Sequence, residues 1–140
     1  MAHVMNVAII GAGRIGMKRA AAIEKIAGVR VGSVCDVNES RAKELARAYG
    51  AKVYTDWKKA ASDSSVETVI VATHNALLPK VALEALKARK HVLIEKPGGT
   101  SSEELKRLLN ASKQYRRVVW VGYNHRFHPA VAKAHAILKQ

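Results

Sequence analysis

Glu95, Lys96 and Pro97 follow the apolar run Val92, Leu93 and Ile94 with no spacer between them. A carboxylate and an ammonium have no place in a core, so their position at the end of a buried run points to a ligand edge. A second set of residues sits earlier in the chain. Gly11, Gly13 and Gly16 stand in the pattern G-x-G-x-x-G, and Asp36 follows Gly16 by 20 residues. Glycines at such spacing allow a tight turn and let an anionic group approach the backbone N–H groups. The pattern alone is weak; its meaning depends on the elements around it.

Those elements alternate. Strands are predicted at Asn6–Ile10, Val29–Cys35, Lys52–Tyr54, Glu67–Thr73, His91–Ile94 and Arg117–Tyr123. Helices are predicted at Arg14–Ile26, Glu39–Tyr49, up to about Ala88, from Ser101 or Ser102 to Tyr115, and from Pro129 to the end. Near-continuous Val and Ile runs mark strands buried on both faces, which requires a parallel sheet with helices on each side. The fold class is α/β, a doubly wound parallel sheet of the Rossmann type in a single domain, with expected strand order 3-2-1-4-5-6.

In this setting the glycine loop follows a strand and opens a helix, and Asp36 ends the next strand. That is the context of a dinucleotide-binding fingerprint. Gly11 makes the turn, Gly13 admits the pyrophosphate, and Gly16 lets helix and strand pack closely. Asp36 accepts ribose hydroxyls and repels a 2′-phosphate, which favours NAD over NADP; Arg14 and Arg41 stand near enough in sequence to soften that preference. Ligands of such sheets lie along the carboxyl ends of the strands. The expected cofactor contacts are therefore Gly11, Gly13, Arg14, Ile15, Gly16, Asp36, Val37 and Arg41 on one side. Ala72, Thr73, His74, Asn75, Glu95, Lys96, Pro97 and Asn124 lie towards the nicotinamide.

The stretches "GAGRIG", "CDVN", "VIVATHNALLPKVALEALKARKHVLIEKP" and "GYNHRFHP" together resemble the glucose–fructose oxidoreductase, inositol dehydrogenase and MocA (Gfo/Idh/MocA) family, in order and over essentially the whole chain. The resemblance implies a dehydrogenase half that binds a nicotinamide cofactor and acts on sugars, polyols or sugar nucleotides. It also implies that Lys96 touches the reacting hydroxyl in a supporting catalytic role, that Glu95 lies near the nicotinamide ribose, and that a cis bond precedes Pro97. A family proline is replaced by His74 and a family histidine by Leu78, while Gly98 and Gly99 follow the motif. His74 reads equally as a local cap or a catalytic group. In the family a second, antiparallel half shapes the substrate pocket and supplies the histidine acting as general acid and base. The expected organisation is thus a dinucleotide-binding domain over residues 1–126, with 127–140 starting a connecting helix to a substrate domain that these residues lack. Activity by the chain alone is not expected; a stand-alone dinucleotide-binding or sensor module is the alternative.

Bulk properties narrow the classes. One domain follows from 140 residues. A single cysteine, Cys35, excludes an internal disulfide and a cysteine metal cluster, and it reads as a buried filler. No metal site is expected, and His125, His128 and His135 read as surface groups. No apolar run reaches the ~20 residues that cross a bilayer, and the N-terminus lacks a secretory signal, so a cytoplasmic protein without a membrane partner is expected. The net charge of +13 is spread along the chain. With 5% aromatics there is little stacking surface, which disfavours nucleic acid. An open sheet edge leaves room for a homo-oligomer.

Overall fold

The structure, a computed structural model, describes residues 3–139. Six parallel strands form one sheet: β1 (Met5–Ile10), β2 (Val29–Cys35), β3 (Lys52–Tyr54), β4 (Thr68–Val71), β5 (His91–Ile94) and β6 (Val119–Val121). Their order is β3-β2-β1-β4-β5-β6, with every pairing parallel, as the strand–helix alternation requires. The helices are α1 (Arg14–Ile23), α2 (Glu39–Tyr49), α3 (Trp57–Ser62), α4 (Leu78–Lys87), α5 (Ser102–Tyr115) and α6 (Pro129–Leu138), with a 3₁₀ turn at Asn124–Phe127.

Strand alternation divides the core. Val7 and Ile9 point to one face, where Ala20 and Ile23 of α1 and Ala42, Leu45 and Ala46 of α2 cover them. Ala8 and Ile10 point to the other, against α3, α4 and α5. On β2 the alternation breaks at Gly32. Val7 pairs with Val31 but Ala8 with Ser33, so Gly32 is an extra residue. Cys35 consequently joins the α3–α4 face, 2% exposed. Burial, aided by the charges of Asp36 and Asp56, pushes its thiol up to about 12, so it behaves as an inert filler.

Several boundaries depart from the sequence reading. α1 ends at Ile23 rather than Ile26, because Lys25 and Ile26 turn back on Ala22 and Ile23 carbonyls before Gly28, which has φ +76°. β4, an interior strand, runs only from Thr68 to Val71, and β6 covers only three residues, as an edge strand with a single neighbour. α3 has no counterpart in the sequence reading; Asp56 caps it by accepting the Lys58 N–H at 2.9 Å. Met1, Ala2 and Gln140, which the expected signal-free N-terminus and final helix include, lie outside the described residues. Among the described residues, no helix is long and apolar enough to cross a membrane, and no cluster of potential metal ligands occurs.

The amino edge of the sheet is closed by hydrogen bonds. Lys90, 8% exposed, donates its Nζ to the carbonyls of Asp63 and Val66 at 2.8 and 2.7 Å. Its burial pulls the ammonium pKa down. The Asp63 carboxylate would be raised by burial, but hydrogen bonds from the Ser65 N–H and hydroxyl and from Tyr54, with Lys52 nearby, bring it below the ordinary value.

Candidate functional site

The glycine loop lies at the carboxyl end of β1, between β2 and β4. Gly11 has φ +105°, and a Cβ there would sit 2.4 Å from the Ala72 carbonyl oxygen. Only glycine allows the loop this close to the end of β4. At Gly16 a Cβ would lie 1.9 Å from the Gly11 carbonyl oxygen, so the first turn of α1 closes on the loop. Gly13 differs: among the described residues nothing lies within 4 Å of a Cβ built there. It is also the N-cap of α1, and among the described residues no side chain caps that end. The helix therefore presents its first N–H groups and positive dipole end to open space. A dinucleotide pyrophosphate fits this cradle: room at Gly13, unsatisfied donors above it, and no acid in the first turn to repel it.

Asp36 fastens the loop. Its Oδ2 accepts from the Ala12 N–H at 2.8 Å and its Oδ1 from the Asn38 N–H at 2.9 Å. The carboxylate thus stands at the mouth of a cleft of about 240 Å³ whose lining includes Gly11, Asp36, Val37, Trp57, Thr73 and Leu77. Gly13, Ala72 and His74 also reach it. Val37 is 85% exposed at its rim, and the cleft is otherwise largely apolar, a fit for a purine base and its ribose. Arg14 and Arg41 do not join this cleft. They line a second one of about 650 Å³ between α1 and α2, which shares only Gly13 with the first.

The other end of the edge carries Lys96. It lines a third cleft of about 270 Å³ with Tyr123, Asn124, His125 and Arg126. The Gly98 N–H returns to the Glu95 carbonyl at 2.9 Å, closing a turn that contains a cis Lys96–Pro97 bond. Gly98 has φ +86° with Val121 packed against it, which explains a glycine at that position. The Tyr123 hydroxyl donates to the Pro97 carbonyl at 3.4 Å. Ile15 is exposed on the first turn of α1, and Asn75 is exposed between β4 and α4. His74 is exposed too. Its carbonyl accepts from Leu77, but α4 has no side-chain cap, so the imidazole is not a capping group. His128 does cap, accepting the Ala130 N–H at the start of α6.

Glu95 does not line that cleft. It is 8% exposed, and its Oε1 receives the Arg19 Nε–H at 2.6 Å together with a second contact from the same guanidinium. Arg19 is absent from the sequence reading. The signal was present: Gly16, Ala20 and Ile23 are the buried stripe of α1, and Arg19 shares that stripe at helical spacing. A cation there requires an acid from the sheet.

Comparison with known proteins accords with this geometry. The family described as "Oxidoreductase family, NAD-binding Rossmann fold" matches residues 5–123. The chain belongs to the Gfo/Idh/MocA oxidoreductase family. It is 34% identical over 137 residues to inositol 2-dehydrogenase 2 of Saccharopolyspora erythraea, covering 96% of this chain and 40% of that protein. With the myo-inositol 2-dehydrogenase of Thermotoga maritima it shares 29% identity over 124 residues, 88% of this chain and 37% of the relative. Among solved structures, GenD2 from gentamicin A biosynthesis, in complex with NAD, superposes with a TM-score of 0.91 at 30% identity. The superposition covers 98% of this chain and 39% of GenD2. The chain thus spans about 40% of the length of the relatives it matches, and it is an NAD-binding Rossmann domain of the oxidoreductase type.

Proposed function

We propose that these residues form the cofactor half of an NAD-dependent oxidoreductase acting on the CH–OH group of a sugar, polyol or sugar nucleotide. The observation that carries this reading is the shared edge: the open, uncapped cradle at Gly13 and the exposed Lys96 lie along the same carboxyl ends of the sheet. Gly11, Gly13 and Gly16 hold the pyrophosphate against α1. Asp36 takes the adenosine ribose and favours NAD over NADP, and Val37, Thr73 and the cleft beside them take the adenine. The dinucleotide, when bound, supplies the hydride acceptor. Lys96 stands by the substrate hydroxyl and lowers the cost of developing alkoxide charge. A separate base takes the proton. His128 is engaged as a helix cap, and that base belongs to the substrate-binding part that relatives carry. The inositol dehydrogenases and GenD2 among the relatives favour a polyhydroxylated substrate.

Positioning of the reacting groups can account for ~7–11 kcal/mol of barrier lowering, so the 140-residue polypeptide binds NAD⁺ without turning over polyols. Calorimetric titration should give saturable NAD⁺ binding, and mixtures with inositols and sugars should give no steady NADH. Steady NADH formation abolished by Lys96→Ala would overturn the division of labour, and absence of NAD⁺ binding would overturn the reading as a whole.

A further inference from the structure

Glu95 and Arg19 form a contact that cofactor binding by the glycine loop does not use. The guanidinium comes from the second turn of α1 and the carboxylate from the tip of β5, and the two meet beneath Gly122 just beyond β6. A Cβ at Gly122 would lie 3.4 Å from the Arg19 guanidinium and 3.4–3.5 Å from both Glu95 oxygens. Three elements thus converge on one ion pair, with side chains 23% and 10% exposed. Both guanidinium contacts fall on Oε1. Oε2 takes no hydrogen bond among the described residues and so keeps its capacity for a ligand hydroxyl.

The position along the edge says which end of the ligand this is. Adjacent strands are ~4.8 Å apart, so β2, which carries Asp36, and β5, three places away, are separated by roughly 14 Å. That is the reach of an extended dinucleotide whose middle rests on the Gly13 cradle of β1 and α1. With the adenosine at Asp36, the nicotinamide nucleoside falls at β4, β5 and β6. The ring there is cationic when oxidised and neutral when reduced. A carboxylate beside it favours the oxidised form, and a neutralised carboxylate does not.

We propose that Arg19 is a positioning residue for the nicotinamide end of the cofactor: it aims the Glu95 carboxylate at the edge with one oxygen available and neutralises it, thereby setting the relative affinity for NAD⁺ and NADH. This rests on the function proposed above. Nearby charges reinforce the need for such a setting. Lys96 follows Glu95 directly and lines a neighbouring cleft with Arg126, a cleft that Glu95 itself does not line, so cations stand on more than one side of the carboxylate.

The test is a set of binding constants for the 140-residue chain with NAD⁺, NADH and ADP as probes. In Arg19→Met the Kd for NADH divided by that for NAD⁺ should rise about fivefold or more, the effect of one contact-range charge even under strong screening. In Glu95→Gln, which strands the guanidinium instead, the ratio should fall by a similar factor. Arg19→Met combined with Glu95→Gln should return it towards the starting value, and Arg19→Lys, which keeps the charge, should leave it near that value. ADP, which lacks the nicotinamide nucleoside, should bind all variants alike. If Arg19 is only a fastener between α1 and β5, melting temperatures fall while the ratio stays constant, and the proposal is overturned. Should Arg19→Met not fold, Glu95→Gln still decides, because an unchanged ratio there overturns it equally. Failure of the unsubstituted chain to bind NAD⁺ would instead remove the functional reading on which the inference rests.

Discussion

Replacing Gly13 with Ala separates the ligand role of the glycine loop from its structural role. The backbone at Gly13 has φ −77° and ψ −172°, which any residue adopts, and nothing lies within 4 Å of the added methyl. Two small effects oppose each other in the free protein. Ala is a poorer N-cap than Gly by a fraction of about 1 kcal/mol, while Gly→Ala reduces unfolded-chain entropy by an equivalent of about 0.4–1 kcal/mol. The free protein should therefore melt within a few degrees of the original. The bound state should differ sharply, because the methyl occupies the space the pyrophosphate needs. At NAD⁺ equal to 100 times Kd the original chain gains about 2.7 kcal/mol, which for a domain of this size is roughly 10 °C in Tm. A hundredfold weaker Kd reduces the gain at the same concentration to RT ln 2, about 0.4 kcal/mol. Thermal melts with and without NAD⁺, checked by calorimetry, measure both quantities. Gly11→Ala is the contrast. Its φ of +105° and the 2.4 Å approach to the Ala72 carbonyl oxygen should cost ~1–2 kcal/mol of backbone strain and ~1–3 kcal/mol of overpacking before any ligand is added. A Gly13→Ala protein that binds NAD⁺ at full strength, or that loses as much stability as Gly11→Ala, would refute the assignment of the cradle.

Asp36→Ala should weaken NAD⁺ binding and narrow its preference over NADP⁺ by about tenfold, since the carboxylate no longer repels a 2′-phosphate; equal affinity for both cofactors in the unsubstituted chain would remove Asp36 from that role. Lys90→Met should lower stability by about 1–3 kcal/mol in urea unfolding, because the buried carbonyls of Asp63 and Val66 lose their donor. Asp63 has a depressed pKa in the folded state, so its contribution is present above the ordinary carboxylate value and is lost as pH falls through the folded one. The stability gap between the original chain and Asp63→Asn should accordingly be open at pH 7 and close in acid; a gap independent of pH would refute the role of the carboxylate charge.

The sheet order was legible because each local signal agreed with the next: Val and Ile runs, helix-length intervals, and glycines where β1 turns into α1. What escaped the sequence reading has specific causes. The short helix α3 spans six residues with two lysines and a serine among them, too few for a periodic pattern to emerge. The bulge at Gly32 moves Ser33 and Cys35 onto the other face, which alternation counted from Val29 does not foresee. Arg19 was hidden for a different reason. Its partner lies 76 positions away, and only the sheet order brings α1 against the tip of β5. The candidate site residues were chosen by type and motif, and sequence alone did not foresee that many of them would divide among three clefts. Arg14 and Arg41 lie on the far side of Gly13 from Asp36, a separation that sequence distance conceals.

The two edges of this sheet use polar groups in opposite ways, and the contrast bears on function. At the amino edge the donors and acceptors are satisfied by the protein itself. The Lys90 ammonium holds two carbonyls, the Glu67 carboxylate receives the Asn6 N–H at 2.6 Å, and the Asn6 side chain accepts from Arg30 at 2.5 Å. Buried polar groups of a folded chain are ordinarily paired in this manner. At the carboxyl edge the pairing stops short: among the described residues no side chain caps α1 and none engages the second Glu95 oxygen, and Lys96 faces an open cleft. Hydrogen-bonding capacity left over at the carboxyl edge adds little to stability, since water satisfies it in the folded and the unfolded chain alike; inside the sheet, the Ser33 hydroxyl is buried without a partner among the described residues. The cofactor role proposed above draws on that edge capacity along the line from β2 to β6, with the pyrophosphate over Gly13 and ribose hydroxyls on either side.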